Sequence, residues 1–337
     1  MMRAVLKTCK GDRGFSLMEL LFAVVILTVI SLAAFAVINT GHRTASTNDQ
    51  TVQIQQNTRI ALDLISRDIR MAGYGMNVSP PPSPGLVPGP GSAGCPAVIN
   101  TVNSAVGADS ISIVTVNQVI GTGLLAAPAV PGASITIAPA TAATTLQNGD
   151  VITLDGVFTA TVTNPNPVSN PVALSTGFQA PLQFGTATGV VQLQCVTYAV
   201  AGNQLLRNGV PVADGIIDLQ LAYGVDTNGD GRIDDTTLDA TVDCLDFIPN
   251  TLAQVAGLTN SAGCPGVGAV GAPPGAFPAP PTTSIRLVRI SVVGQALRAD
   301  PIFTGGTALT VEDRSIPANP GFRRRALTRT INLRDNS

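Results

Sequence analysis

The segment GFSLMELL at residues 14–21, with the apolar run that continues it, constrains this chain more than any other feature. The run from Leu20 to Ile38 carries no charge, and its 19 residues would span about 28 Å as an α-helix. That length is close to the hydrocarbon core of a bilayer, which is roughly 30 Å thick. Because basic residues precede the run, the pattern predicts one membrane-spanning helix with its basic flank on the cytoplasmic side. Those residues are Arg3, Lys7, Lys10 and Arg13.

Glu19 is the one charged residue beside this run. A carboxylate at membrane depth is costly unless it is paired or neutralised, so Glu19 is a candidate functional residue. If the chain were cut after Gly14, Phe15 would carry a new α-amine. Phe15 and Glu19 are four residues apart and would share one helical face. The amine could then pair with its own Glu19 or with that of a neighbouring subunit.

GFSLMELL after a short basic leader resembles the class III signal of type IV prepilins and pseudopilins. The resemblance implies that a prepilin peptidase cuts after Gly14 and methylates Phe15. It also implies that Glu19 sets the register between subunits. Residues 62–75 and 205–235 resemble PilW-like minor pilins, and residues 323–336 add weaker similarity.

An ordinary secretory signal is the alternative, with Ala34-Phe35-Ala36 as its cleavage site. The apolar core of such a signal usually has about 7–15 residues and no internal acid. The run here is longer and begins beside Glu19. The two interpretations differ in the mature amino terminus, which is Phe15 for a prepilin and Val37 for a secretory signal.

Apolar residues recur at helical spacing between Gln50 and Ala72 and predict an amphipathic helix with one buried stripe. Gly73 and Gly75 are expected to end it. One helix would then run from Phe15 to about Ala72. The stripe consists of Ile54, Ala61, Leu62, Ile65, Ile69 and Ala72.

Strand signals dominate beyond residue 97, and they predict an α+β fold in which an antiparallel sheet packs on the second half of the helix. This agrees with what the pilin resemblance implies. The expected domains are a leader (1–14), a transmembrane or fibre-core helix (15–38), its amphipathic half (39–75) and a β-rich head (76–337) with a probable insertion (121–189). Strands are predicted at Ser110–Ile120, Ser134–Ala138, Val151–Leu154, Phe158–Thr163, Val190–Val200, Gln204–Arg207, Ile217–Tyr223, Ser284–Val293 and Leu327–Leu333.

Cysteine usage indicates an exported protein. Cys9 lies in the leader and would be lost, which leaves an even number of cysteines in the exported chain. Four cysteines allow three connectivities. We favour Cys244–Cys264 and Cys95–Cys195. Zinc is disfavoured because the chain has no CxxC and a single, distant histidine.

The segment from Asp226 to Asp235 is a candidate calcium loop. Its pattern D-x-N-x-D-G-x-x-D follows the first nine positions of an EF-hand loop. Thr237 replaces the usual glutamate at position twelve, and the alternative is a solvated turn between strands. The candidate ligands are Asp226, Asn228, Asp230, Asp234 and the carbonyl of Arg232.

Charge and composition argue against enzymes and against general nucleic-acid binding. Loss of residues 1–14 lowers the cations from 19 to 15 and the anions from 21 to 20, which gives a net charge of −5. His42 is the single histidine, so a serine or cysteine triad has no base away from the membrane span. The arginines at 323–325, with Arg329 and Arg334, could bind DNA or anionic lipid, or could protect a solvated edge strand.

The resemblance implies a minor pilin of a type IV pilus, anchored in the inner membrane with its head in the periplasm before assembly and extracellular afterwards. Its implied partners are the prepilin peptidase, other minor pilins, the major pilin and the inner-membrane assembly platform. The alternatives are a minor pseudopilin of type II secretion and a tip adhesin or DNA-uptake subunit. An exported hydrolase would need an acid pair that the sequence does not single out.

Overall fold

The computed structural model divides into two compact units, Met1–Thr51 and Val52–Ser337. The structure describes residues 16–73, 95, 99–104, 107–124, 134–155, 158–175, 188–226, 232–234, 285–300, 302–312 and 314–333.

A single helix opens the described chain. Helix α1 spans Leu17–Arg70, 54 residues in all. The prediction of one helix from Phe15 to about Ala72 is therefore confirmed within a few residues at each end. A second helix among the described residues, α2, is the short turn Ala140–Ala143.

Fourteen strands follow α1 within the described residues, and they pair antiparallel throughout. The fold is therefore α+β, as predicted. The strands are β1 (Ile99–Val102), β2 (Ser110–Leu124), β3 (Ser134–Ala138), β4 (Val151–Leu154), β5 (Phe158–Thr161), β6 (Val172–Ala173), β7 (Thr188–Ala201), β8 (Gln204–Arg207), β9 (Val210–Asp214), β10 (Ile216–Val225), β11 (Ile285–Gln295), β12 (Leu309–Val311), β13 (Arg314–Ile316) and β14 (Arg324–Asn332).

The strands form three sheets. The large sheet has the order β5-β4-β7-β2-β3-β6, with β1 paired to β2 and with β8 and β9 continuing from β7. The small sheet has the order β10-β11-β14, and β12 and β13 form a separate hairpin. The sequence missed β1, β6, β9, β12 and β13, which are at most five residues long and show little alternation.

The buried stripe of α1 covers the small sheet and the first part of the large sheet. Its residues share one apolar core with Leu221 of β10, Ile290 of β11, and Val196 and Tyr198 of β7. Close approach requires Gly294 in β11, because a Cβ there would lie 2.3 Å from Thr58 Oγ1 of the helix. The predicted stripe is confirmed by the burial of Ile54, Ala61, Leu62, Ile65 and Ile69.

A second core lies farther along the same face of the large sheet. Val190 of β7 belongs to this second core, whereas Val196 and Tyr198 belong to the helix-packed one. All three are even-numbered positions of one strand and so point to the same side. The helix packs against one part of this face, and at the other part residues of β3–β6 and α2 form the second core with Val190.

The sequence predicts residues 121–189 to be an insertion, and the described residues of this segment contribute much of the second core. Strands β3 and β4 pair directly with β2 and β7, so they extend the large sheet. We call the second part the distal lobe: residues 117–124, 134–155, 158–175 and 188–192. The other described residues from Val52 onward form the helix-packed lobe.

Candidate processing and assembly site

The helix begins directly after Ser16. The Ser16 carbonyl accepts the first helical hydrogen bonds, from the amides of Glu19 (3.0 Å) and Leu20 (3.1 Å). Glu19 therefore lies in the first turn, where the helix dipole favours a negative charge. Gly14 and Phe15 lie outside the described residues, so the pairing of Glu19 with an amine on Phe15 stays a prediction.

The first part of α1 exposes apolar side chains on all sides. Its large apolar residues from Leu17 to Ile38 are between 49% and 80% exposed. By length and composition this helix could cross a membrane, and it is the one such helix among the described residues. So much exposed apolar surface indicates contact with lipid or with other proteins.

Two threonines in and just after this segment bond their hydroxyls to the helix backbone. The Thr28 hydroxyl donates to the Val25 carbonyl at 2.7 Å, and the Thr40 hydroxyl donates to the Ala36 carbonyl at 2.9 Å. Neither hydroxyl needs water. Glu19 is thus the residue of this stretch whose charge demands a partner.

The second part of α1 is tied to the sheets by Asp63 and Asp68. Asp68 accepts hydrogen bonds from the Tyr198 hydroxyl at 2.6 Å and from Arg207 Nε at 3.0 Å. Burial, reinforced by the Asp68 carboxylate, raises the pKa of Tyr198. Asp63 pairs with Arg329 of β14 at 2.5 Å. Helical spacing alone suggests Arg67 as the partner of Asp63, and the structure gives the long-range partner instead.

The carboxyl-terminal arginines also bind within the protein. Arg323 pairs with Asp300 at 3.2 Å and lies 4.4 Å from the Phe303 ring centroid. Arg324 donates to Gln295 Oε1 at 2.9 Å. Arg329 pairs with Asp63 of the helix. Arg323, Arg324 and Arg329 therefore all bind partners within the protein. This favours the structural interpretation of the basic strand over binding of DNA or lipid.

A buried ionic cluster joins the small sheet to the β12–β13 hairpin. Arg289 of β11 donates to both carboxylate oxygens of Glu312, at 2.9 and 2.5 Å, and both residues are buried. Arg314 of the hairpin pairs with Asp218 of β10 at 2.5 Å, and burial raises the pKa of Asp218. The alternation of apolar and polar residues from Ile217 to Tyr223 predicts one buried face for this strand, but this cluster buries the other face as well. The one available signal was that Glu312 is the sole glutamate besides Glu19.

The candidate calcium loop is described only in part. Asp226 is buried, and its carboxylate pairs with Arg286 Nε at 3.0 Å. Arg232 is exposed and Asp234 is half-buried, while Asn228 and Asp230 lie outside the described residues. Within the described ranges, no group of three or more histidine, cysteine or acidic side chains is placed to hold a metal. Calcium binding stays a prediction.

The structure contains the disulfide Cys95–Cys195 that the sequence analysis favoured, with the two sulfurs 2.04 Å apart. Both cysteines are buried beside Val114, Val151 and Leu193, on the face of the large sheet opposite the helix. Cys244 and Cys264 lie outside the described residues, so their pairing is untested.

Residues 9–35 match the model of the prokaryotic N-terminal methylation motif. The matched stretch contains Gly14, Phe15 and Glu19, so the chain carries a type IV prepilin-like signal. Its amino terminus is type IV pilin-like, and the exposed apolar helix fits membrane anchoring.

The remaining comparisons add little. Among solved structures, the chain is similar to a type IV-like pilin from Thermus thermophilus, with a TM-score of 0.35 and 10% identity, over 83% of this chain and 96% of that one. A TM-score this low does not establish a common fold. No curated protein sequence matches the chain.

Proposed function

We propose that this protein is a PilW-like minor pilin of a type IV pilus that primes fibre assembly. The observation that carries the proposal is the methylation motif followed directly by an exposed, uncharged helix with one acid at its start. The large head disfavours the role of major subunit.

In the proposed cycle, the chain inserts in the inner membrane with its head in the periplasm. Prepilin peptidase cuts after Gly14 and methylates Phe15. An assembly platform then extracts the subunit into the fibre or its tip, next to other minor pilins and the major pilin. The exposed face of α1 exchanges lipid for neighbouring helices, and Glu19 meets the α-amine that offsets its charge. The role is structural and involves no catalysis by this chain.

A clean deletion, with surface fibres counted by electron microscopy and protein secretion assayed in the same cells, tests the proposal. Loss of fibres with secretion intact is the expected result. Normal fibres with failed secretion would make the protein a minor pseudopilin of a type II system. If both are normal, the priming role is refuted and a tip adhesin or DNA-uptake role remains.

Complementation of the deletion tests Glu19. We expect Glu19→Gln to be cleaved normally and to restore few fibres, because the amide cannot offset an α-amine. Asp49→Asn removes an exposed acid from the same helix and is the matched control, expected to restore fibres fully. Equal complementation by both variants would refute a special role for Glu19.

Calcium in the Asp226–Asp234 loop is a secondary proposal. A bound cation would raise the melting temperature by mass action. We expect EDTA to lower the melting temperature of wild type and to leave Asp230→Ala unaffected. A wild-type melt unchanged by EDTA would refute it.

A further inference from the structure

We infer that the distal lobe is a display module that folds as a unit of its own and takes no part in subunit assembly. The inference goes beyond the proposed function but rests on it, because assembly is read out as fibres.

The first support is the separation of the two cores. The distal core consists of residues from β2–β7 and α2, such as Ile120, Val172 and Val190, and shares no residue with the helix-packed core. Separate cores allow separate cooperative unfolding.

Polar residues occupy the space between the cores. On β7, Gln192 and Gln194 lie between Val190 of the distal core and Val196 of the helix-packed core. The side-chain amides of Asn117 and Gln118 both donate to Gln192 Oε1, at 3.0 and 2.9 Å. This polar belt bonds within itself, so apolar packing is interrupted on the face of the sheet that carries the two cores. On the opposite face, Val151 of the distal lobe packs with Val114 and Leu193 beside the disulfide.

Irregular strand pairing coincides with the belt. Strand β2 is out of regular register with β7 between Val116 and Gln118 and again between Val119 and Gly121. Bulges of this kind bend a strand and mark places where a sheet changes direction. Among the described residues, β2 and β7 are the strands that run through both lobes.

Exposed apolar side chains are distributed unequally between the lobes. Val119 is the large exposed apolar residue of the described distal lobe. Several such residues lie on the helix-packed lobe. Exposed apolar surface suits contact with other subunits, so this is the lobe that we expect to make such contacts. These exposed residues are Val52, Ile60, Met71, Val102, Val210, Leu297 and Ile302.

Charge separates the lobes further. The described distal lobe has no cation, and its two acids are used by backbone amides. Asp150 accepts from the Gln147 amide at 2.7 Å and Asp155 from the Gly189 amide at 2.6 Å. Its exposed surface is mainly threonine, serine, asparagine and proline, which suits uncharged hydrogen-bonding partners and offers nothing to nucleic acid or anionic lipid.

Two matched substitutions in the full chain test the inference. Val172 and Val292 are both fully buried, one in each core. With Val172→Asp, we expect protease to cut the distal lobe at least tenfold faster, with cleavage of the helix-packed lobe unchanged and fibres within twofold of wild type. With Val292→Asp, we expect both the helix-packed fold and the fibres to be lost.

Equal protease sensitivity of both lobes in Val172→Asp would overturn independent folding. Loss of fibres with an intact helix-packed lobe would overturn the assembly claim. A second variant replaces residues 117–192 by Asn-Gly, which joins the paired residues Val116 and Leu193 through a two-residue turn. It is expected to form the Cys95–Cys195 disulfide and restore fibres, and a folded but fibreless product would overturn the inference.

The proposed function fails separately. If deletion of the whole protein leaves fibres unchanged, the priming role is refuted, while the protease pattern of Val172→Asp still decides whether the distal lobe folds alone.

Discussion

The two lobes are stabilised in different ways. In the helix-packed lobe, side-chain charges make the long-range ties, as in Asp68–Arg207 and Arg289–Glu312. In the distal lobe, asparagine amides bond to the backbone of neighbouring turns. Asn170 alone bonds both the carbonyl of Ile137, at 2.8 Å, and its amide, at 3.0 Å.

The difference follows from the secondary structure of each lobe. A helix presents no free backbone groups to a sheet, so side chains must supply the specific contacts between them. The distal lobe consists of short strands and turns, whose unpaired backbone groups need partners nearby. Asparagine supplies a donor and an acceptor together without the desolvation cost of a charge.

The largest expected effect is in the charge-tied lobe. Glu312→Ala leaves the buried Arg289 without its partner and should lower the free energy of unfolding by about 3–5 kcal/mol. Urea denaturation of the full chain in detergent measures it. Replacing both residues, with Arg289→Met and Glu312→Leu, should recover more than half of the loss. A loss below about 1 kcal/mol for Glu312→Ala would mean that the pair is not buried in solution.

Removing the disulfide should lower the free energy of unfolding by a similar or slightly smaller amount. Cys95 and Cys195 are 100 residues apart, so removing the link frees a long loop in the unfolded chain. The cost is about 2–5 kcal/mol. Denaturation of Cys95→Ser with Cys195→Ser measures it. Because both cysteines lie in the helix-packed lobe, that lobe should become more protease-sensitive than the distal lobe. Equal sensitisation of the two lobes would contradict their separate folding.

Asn164→Ala should loosen the amide-bonded lobe alone. Its side chain bonds the carbonyls of Ser169 (3.2 Å) and Pro171 (3.1 Å) and the amide of Ala173. The free energy of unfolding should fall by about 2–3 kcal/mol, because three backbone groups lose a hydrogen-bond partner. Hydrogen exchange should accelerate in residues 158–175 and remain unchanged in α1. Faster exchange in α1 as well would show that the lobes unfold together.

Two glycines allow the same test by close packing. A Cβ on Gly294 would meet Thr58 Oγ1 at 2.3 Å, and one on Gly121 would meet the Ala138 carbonyl oxygen at 2.5 Å. Gly294→Ala should push the helix away from β11, and Gly121→Ala should break the β2–β3 pairing. Each substitution should lower the free energy of unfolding by about 1–3 kcal/mol. Hydrogen exchange should place the first effect in the helix-packed lobe and the second in the distal lobe. Identical exchange patterns would contradict the separation.

The smallest expected effect is at the surface. Arg329 and Asp63 pair at 2.5 Å but are 38% and 65% exposed. Arg329→Ala should lower the free energy of unfolding by at most about 1 kcal/mol, and this loss should be smaller in high salt. Urea denaturation at two salt concentrations measures it. A loss comparable with that of Glu312→Ala would contradict the ranking.

The sequence predicted those parts of the fold whose pattern repeats. The stripe from Ile54 to Ile69 and the strands Ser134–Ala138 and Val151–Leu154 are found as predicted. Glu312 was not predicted to be buried. Its partner Arg289 lies on β11, which is distant in sequence, and the local sequence does not indicate that the two side chains pair. The second core could not be predicted either. Val190 and Val196 occupy equivalent positions in the strand pattern, and they differ only in the elements that pack against them.

The candidate site divides in the same way. The sequence predicts a helix that begins at Phe15, and in the structure the helix begins at Leu17 with Glu19 in its first turn. The partner of Glu19 depends on cleavage after Gly14 and on neighbouring subunits, neither of which an uncleaved single chain shows.

The mature amino terminus is the measurement that tests the account most directly. Mass spectrometry of the protein isolated from cells should give a chain that begins at Phe15 with a methylated α-amine. A chain that begins at Val37 would show that the apolar segment is a removed secretory signal. In that case the fibre-core helix, and the pilin role with it, would be refuted.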